Sequence, residues 1–223
     1  GIELVHGYSL VPADLPDMDD DDTRRGVEAC HVKYDPHTAI LCGNSLLSLA
    51  FDLYVDQGFP EPASKFTSPV KLLSKITGHN GVPRGQQKDM DFESGDPSRD
   101  DILRMYRQKT GKLIGFSMKI GALNAGLKPQ LANELQNIGE KLGVAYQIAD
   151  DLLEPLAANE RGERAGSSDR ENDKKTLLRE IGREEAQQRA RSLIRGSIDQ
   201  IEALGLRTAQ IRRLFKIVQE RIP

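Results

Sequence analysis

Apolar residues recur along most of this chain at steps of three and four. Between Lys128 and Asp151 they fall at Leu131, Leu135, Ile138, Leu142, Ala145, Tyr146 and Ala149, and Leu153 continues the series. That period predicts a long amphipathic helix with Pro129 near its start. Residues 38–55 carry a second such pattern at Ala39, Leu46, Leu49, Ala50 and Leu53. Residues 65–78, 98–126, 183–203 and 207–221 predict four more helices. Gly-Leu-Lys-Pro at 126–129 and Leu-Gly-Leu at 204–206 read as breaks between helices. No stretch alternates apolar and polar residues as a half-buried strand does, so the predicted class is all-α. Two segments read as loops: 56–64, with two prolines and a glycine, and 155–175, polar and without period. A polar loop that long in a compact helical domain is uncommon and often functional.

Composition narrows the class. The 223 residues suffice for one sizeable core, and 38% hydrophobic against 29% charged residues describes a globular chain. A formal charge of −3 lacks the basic excess of a nucleic-acid binder. Two cysteines, Cys30 and Cys42, do not make a disulfide scaffold and suit a reducing compartment. No apolar run approaches the roughly 20 residues of a membrane span, and the first residues lack the pattern of a signal peptide. These features predict a soluble, cytoplasmic protein with no nucleic-acid partner.

Two acidic clusters carry the candidate chemistry. Residues 14–25 read Asp-Leu-Pro-Asp-Met-Asp-Asp-Asp-Asp-Thr-Arg-Arg. A run of acids alone is usually a solvated surface. Here Leu15 and Met18 interrupt it, and the apolar segment Leu4, Val5, Tyr8, Leu10 and Val11 leads straight into it. Carboxylates at the rim of a core suit magnesium, which takes one or two of them plus phosphate oxygens. Arg24 and Arg25 offer forked donors to the same anion. In the second cluster, Gln147, Asp150 or Asp151, and Glu154 share one helix face. Like charges so spaced repel, and a bound cation would remove that cost.

Taken together, the motifs resemble those of the trans-isoprenyl diphosphate synthases, the farnesyl and geranylgeranyl diphosphate synthase group. The likeness rests on His6-x-Tyr8-Ser9-Leu10, Asp14-Leu15-Pro16-x-Met18-Asp19-Asp20-Asp21-Asp22-x-Arg24-Arg25-Gly26 and His31. It continues through Gly85-Gln86-x-x-Asp89, Lys109-Thr110-Gly111, Gln147-x-x-Asp150-Asp151-x-x-Glu154, and Asp169 with Lys174 and Thr176. The order and spacing hold over nearly the whole chain. The resemblance implies one isoprenoid synthase domain over 1–223, a bundle of about ten helices around a deep central cavity, and usually a homodimer. It implies condensation of isopentenyl diphosphate with an allylic diphosphate, assisted by three magnesium ions, with manganese as an alternative.

Carried over by position, Asp14, Asp19, Asp150, Asp151 and Glu154 would be metal ligands. Arg24 would hold the allylic diphosphate and Arg25 the isopentenyl diphosphate. Lys109 and Lys174 would bind the allylic diphosphate and help it depart, and Thr110 and Gln147 would line the reaction centre. Tyr8, just upstream of the first cluster, would floor the product cavity and favour the fifteen-carbon farnesyl product. His6 and His31 are too isolated to read as ligands.

The chain departs from the pattern at four places. Pro12-Ala13-Asp14 stands where the family has His-Asp-Asp, so one metal carboxylate is lost, with Asp14 or Asp17 as substitutes. Glu154 replaces an aspartate. Gly162-Glu163-Arg164 replaces a Gly-Lys pair. The family's N-terminal helices and Gly-Lys-x-Arg segment, roughly 70–90 residues by usual domain size, fall outside this sequence. Three readings therefore stand: an active short-chain synthase, a non-catalytic partner subunit, and an enzyme that ionises an allylic diphosphate without condensing it, as terpene cyclases do.

Overall fold

The computed structural model describes residues 1–61, 63–65, 67–160, 175–206 and 209–223, with the side chains of 154–160 outside that description. Helix α1 (Ile2–Ala13) ends at the first acidic cluster. A two-stranded antiparallel hairpin follows, β1 (Thr23–Arg24) and β2 (Val27–Glu28). Its turn residues, Arg25 and Gly26, have φ of 54° and 78°. Positive φ at both central positions is the turn type that matches strand twist. Strands this short leave no alternating signature, so the all-α pattern hid them.

Next come α2 (Cys30–Lys33), α3 (Pro36–Val55), α4 (Pro69–Thr77) and α5 (Val82–Asp91). Helix α3 starts cleanly: Pro36 occupies its first position, and the Asp35 carboxylate accepts from the Thr38 N–H at 2.7 Å. By length and composition this helix is apolar enough to cross a membrane, which the run-length reading of the sequence did not bring out. It packs along α1.

Helix α6 (Arg99–Tyr106) opens with a capping box between Ser98 and Asp101. It passes through a π-helical turn (Arg107–Gly111) into α7 (Lys112–Asn124). The sequence predicted one regular helix over 98–126, and the structure inserts this wider turn in its middle. Gly126, at φ 75°, closes α7: its N–H bonds Leu123 O at 3.1 Å, and the Leu127 N–H bonds Ala122 O at 3.0 Å. This is the reciprocal pair of a Schellman end.

Helix α8 (Pro129–Glu160) is the axis of the bundle, and it packs against α7 on one side. The short helix α9 (Leu177–Ile181) precedes α10 (Arg183–Ala203), which packs on another side of α8. The core stripe of α8 is Ala132, Leu135, Ile138, Leu142, Ala145, Ile148, Ala149 and Leu152. Each buried Leu or Ile contributes about 1.5–3 kcal/mol over its exposed state. Leu152 rather than Leu153 completes the stripe, and the helix continues over 155–160, where the sequence predicted loop. The remainder of that loop, 161–174, lies outside the described residues. Helix α11 (Ala209–Glu220) finishes the fold.

Candidate active site

A cleft of about 1020 Å³ opens between α1, α5, the π turn, α7 and α8. Asp19, Arg24 and Arg25 line one wall, Lys109 and Thr110 another, and Gln147 and Asp150 a third. Apolar and aromatic side chains, among them Tyr8, Leu113 and Ile114, line it as well.

Three glycines permit the π turn to reach this position. A methyl at Gly85 would lie 2.1 Å from the Lys109 backbone nitrogen. One at Gly143 would lie 2.4 Å from Gly111 Cα, and one at Gly111 would lie 2.7 Å from the Glu140 carbonyl oxygen. Backbone meets backbone on both sides, so α5 and α8 clamp the turn that carries Lys109 and Thr110. π turns of this kind recur at functional sites.

The clamped side chains find partners across the cleft. The Lys109 ammonium lies 2.5 Å from Asp89 on α5 and 3.9 Å from Asp19. Gln86 donates to Asp19 at 3.0 Å. The Thr110 hydroxyl donates to Gln147 on α8 at 2.8 Å, and the Gln147 amide donates to Asp151 at 3.3 Å. Of these, Asp19, Gln86, Lys109, Thr110 and Gln147 line one cleft, and Asp89 and Asp151 hold Lys109 and Gln147 from outside that lining.

At the hairpin, Arg24 donates to Asp14 through Nε at 3.0 Å and again through Nη2, and to Asp21 at 2.6 Å. The bond to Asp14 raises the guanidinium pKa above its ordinary value, against the effect of burial. Asp14 itself is 3% exposed and does not line the cleft. Asp21 does line it. Asp17 is exposed outside it. Neither candidate substitute for the Ala13 ligand therefore faces the cavity, whereas Ala13 does.

On α8, burial raises the Asp150 carboxyl pKa, while Arg221 from the end of the chain opposes that shift at 2.5 Å. The same guanidinium stacks 4.7 Å from the Tyr146 ring. Asp151 is not among the cleft-lining residues and accepts from the buried Tyr106 hydroxyl. Burial, and next the Asp151 charge, push that phenol far above the usual tyrosine range, so it stays a donor. Glu154 lies on the same helix with its side chain outside the described residues. Asp169, Lys174 and Gly162-Glu163-Arg164 lie wholly outside them.

Among the described residues no three His, Cys, Asp or Glu side chains gather into a metal cage. The walls instead offer separate carboxylates: Asp19 and Asp21 on one, Asp150 on the other. That donor set fits magnesium, which completes its octahedron with water and substrate phosphate oxygens. Sequence reasoning did not find Arg221, Tyr106 or Glu140. Arg221 lies just past the end of α11, where an arginine reads as surface. The other two sit inside helical patterns, where a lone polar residue reads as surface.

The polyprenyl synthetase family model matches residues 1–211. The farnesyl diphosphate synthase of Escherichia coli K12 is 37% identical over 99% of this chain and 75% of its own length. That of Bacillus subtilis is 36% identical over 78% of this chain and 60% of its own. Among solved structures, a geranyltransferase from Helicobacter pylori, complexed with magnesium and isoprenyl diphosphate, superposes with a TM-score of 0.78 at 29% identity. That match covers 99% of this chain and 70% of the other. An FPP/GFPP synthase from Zymomonas mobilis gives 0.80 at 28%, over 97% and 73%.

Proposed function

The chain belongs to the polyprenyl synthetase family, and from that premise we propose that it condenses isopentenyl diphosphate with an allylic diphosphate and stops at the farnesyl product. It is a prenyltransferase by its relatives. The observation that supports the finer reading is the cleft itself: cations, carboxylates and apolar side chains line one cavity.

The residues suit each part of that reaction. Arg24 and Lys109 bind and orient the allylic diphosphate, and Arg25 at the hairpin tip takes the isopentenyl diphosphate. Asp19, Asp21 and Asp150 would hold magnesium, and magnesium when bound supplies charge neutralisation to a departing diphosphate. Thr110 and Gln147, bonded to each other, sit where the carbon–carbon bond would form. The apolar depth excludes water from a cationic allyl group. Tyr8, half-buried on α1, limits the length of chain the cleft accepts. Cytoplasmic residence is part of this reading.

The test is product analysis with labelled isopentenyl diphosphate, geranyl diphosphate and magnesium, on this chain and on Ala13→Asp. Farnesyl diphosphate from the unaltered chain supports the reading. Turnover by Ala13→Asp alone supports a second one, a non-catalytic partner subunit. Ala13 favours that alternative because a methyl group faces the cleft where a carboxylate would bind metal. No product from either chain refutes the first reading.

A homodimer belongs to the same proposal. Ile40, Leu41, Leu49, Leu53 and Val55 stand exposed along α3, more apolar surface than an isolated helix face of a monomer usually shows. This exposed side, which carries Asp52 as its one acid, can pack on its own copy about a two-fold axis. Sedimentation should give twice the chain mass, and Leu41→Glu with Leu53→Glu should halve it. A monomeric parent chain refutes the dimer.

A further inference from the structure

One buried carboxylate spans the π turn without touching the cleft. Glu140, on α8, has a side chain 1% exposed. One of its oxygens accepts from Arg107 Nε at 2.5 Å, and the other accepts from Lys112 Nζ at 2.9 Å. Gln136, one helical turn earlier, donates to the second oxygen at 2.9 Å. Burial alone would raise the Glu140 pKa, but these donors outweigh it and hold the carboxyl below its usual range.

Arg107 and Lys112 stand at i and i+5, the first residue of the π turn and the first residue after it. That interval is the hydrogen-bond step of a π-helix, where an α-helix uses i+4. Each residue of an α-helix turns the chain by about 100°. Loss of the extra residue in the turn would therefore rotate α7 relative to α6 by about that angle. Lys109 and Thr110 lie between the two tethered residues, and their partners Asp89 and Gln147 lie on different helices. They reach both only in the present register.

We propose that Glu140 is a positioning residue for the transfer reaction: by bridging Arg107 and Lys112 it holds the π register that turns Lys109 and Thr110 into the cleft. This rests on the proposed function insofar as Lys109 and Thr110 serve a diphosphate. The glycine contacts leave room for the turn, and the carboxylate selects it. Arg107 is 53% exposed and Lys112 29%, so each would find solvent if the bridge were gone.

The test uses Glu140→Gln, which keeps size and one acceptor, beside Glu140→Asp and Arg107→Gln. Three quantities are read: binding of inorganic pyrophosphate with and without magnesium, kcat and KM with the two prenyl substrates, and amide exchange across Arg107–Lys112. Glu140→Gln should keep its helix content, lose tenfold or more in both kcat and pyrophosphate affinity, and exchange faster at those amides. Glu140→Asp should recover most of the loss, and Arg107→Gln should lose about threefold. A Glu140→Gln protein that melts earlier yet binds, turns over and exchanges as the parent does overturns the proposal. If Glu140→Gln does not fold, Arg107→Gln decides, and parent-like values there overturn it. A parent chain that binds pyrophosphate but makes no product refutes the proposed function alone, because binding and exchange still report on the register.

Discussion

Removing one oxygen atom, in Tyr106→Phe, tests how the second acidic cluster is held. The Tyr106 ring is 2% exposed and stays in place in the variant. Its hydroxyl donates to Asp151 and accepts from the Leu177 N–H at 2.9 Å, joining α6, α8 and α9. The Asp151 bond is charge-assisted, worth about 1.5–3 kcal/mol net. Leu177 is fully buried, and an N–H left there without a partner costs about 1–3 kcal/mol. The two terms overlap, and Asp151 keeps its bond from Gln147. The expected loss is therefore about 2–3 kcal/mol, which lowers Tm by about 4–12 °C in a chain of this size. Urea unfolding and a thermal melt, at fixed protein concentration, measure it. An unchanged slope with a loss below about 0.5 kcal/mol would mean that water replaces the hydroxyl at no cost. The account of Asp151 as anchored by Tyr106 would then fail.

Three further changes probe the site and its frame. Lys109→Met keeps the packing and removes the charge, and kcat should fall by about 10²–10³; an undiminished kcat takes Lys109 out of the reaction. Arg25 holds a left-handed backbone conformation that asparagine tolerates better. Arg25→Asn should raise stability by about 0.5–1 kcal/mol while raising KM for isopentenyl diphosphate, and a KM that does not move removes Arg25 from that site. Hydrogen bonds from Ser98, then from Arg104, hold the Asp101 carboxyl at about 2, below its ordinary 3.8. A lowered folded-state pKa gives stability that is complete above pH 3.8 and lost as pH falls through about 2. The urea midpoints of parent and Asp101→Asn should therefore differ above about pH 4 and converge towards about pH 2. Curves that stay parallel would show that the capping box carries no linkage.

The sequence made the long helices legible wherever an apolar stripe coincided with an end signal. Helix α10 has the predicted span, and α3 begins at a proline behind a capping aspartate. Helix α5 went unread because Val82–Asp91 is mostly polar, and only tertiary contact through Gly85 explains its place. The π turn has no periodic signature, since one extra residue in a helix shifts the phase without changing the composition. At the site, helix spacing put Asp150 or Asp151 on the polar face, and the family resemblance made Asp14, Asp19, Asp150 and Asp151 all metal ligands. The fold separates them: Asp14 turns under Arg24, Asp151 turns to Tyr106, and Asp19 and Asp150 line the cleft. Asp150 and Asp151 are adjacent on α8 and so point about 100° apart. Which member faces in depends on its partner: Tyr106, far away in sequence, holds Asp151, and Arg24, at the hairpin, holds Asp14.

Charge balance explains why carboxylates and cations are interleaved around this cleft. Arg24 is matched by Asp14 and Asp21, Lys109 by Asp89 and Asp19, and Arg221 by Asp150. Each basic group is held in a defined position before any substrate arrives, so little side-chain entropy is lost when an anion replaces a carboxylate partner. In these pairs, among the described residues, the carboxylates outnumber the cations. A diphosphate brought against these described pairs alone would meet more negative than positive charge, and repulsion is poorly screened where the site is partly desolvated. Divalent cations bound with it reverse that sign, and the displaced carboxylates are the oxygen ligands that such cations prefer. On the proposed reading, one set of aspartates would serve two states, positioning basic side chains in the first and holding metal in the second. Ala13 removes one carboxylate from the second state and none of these ion pairs from the first.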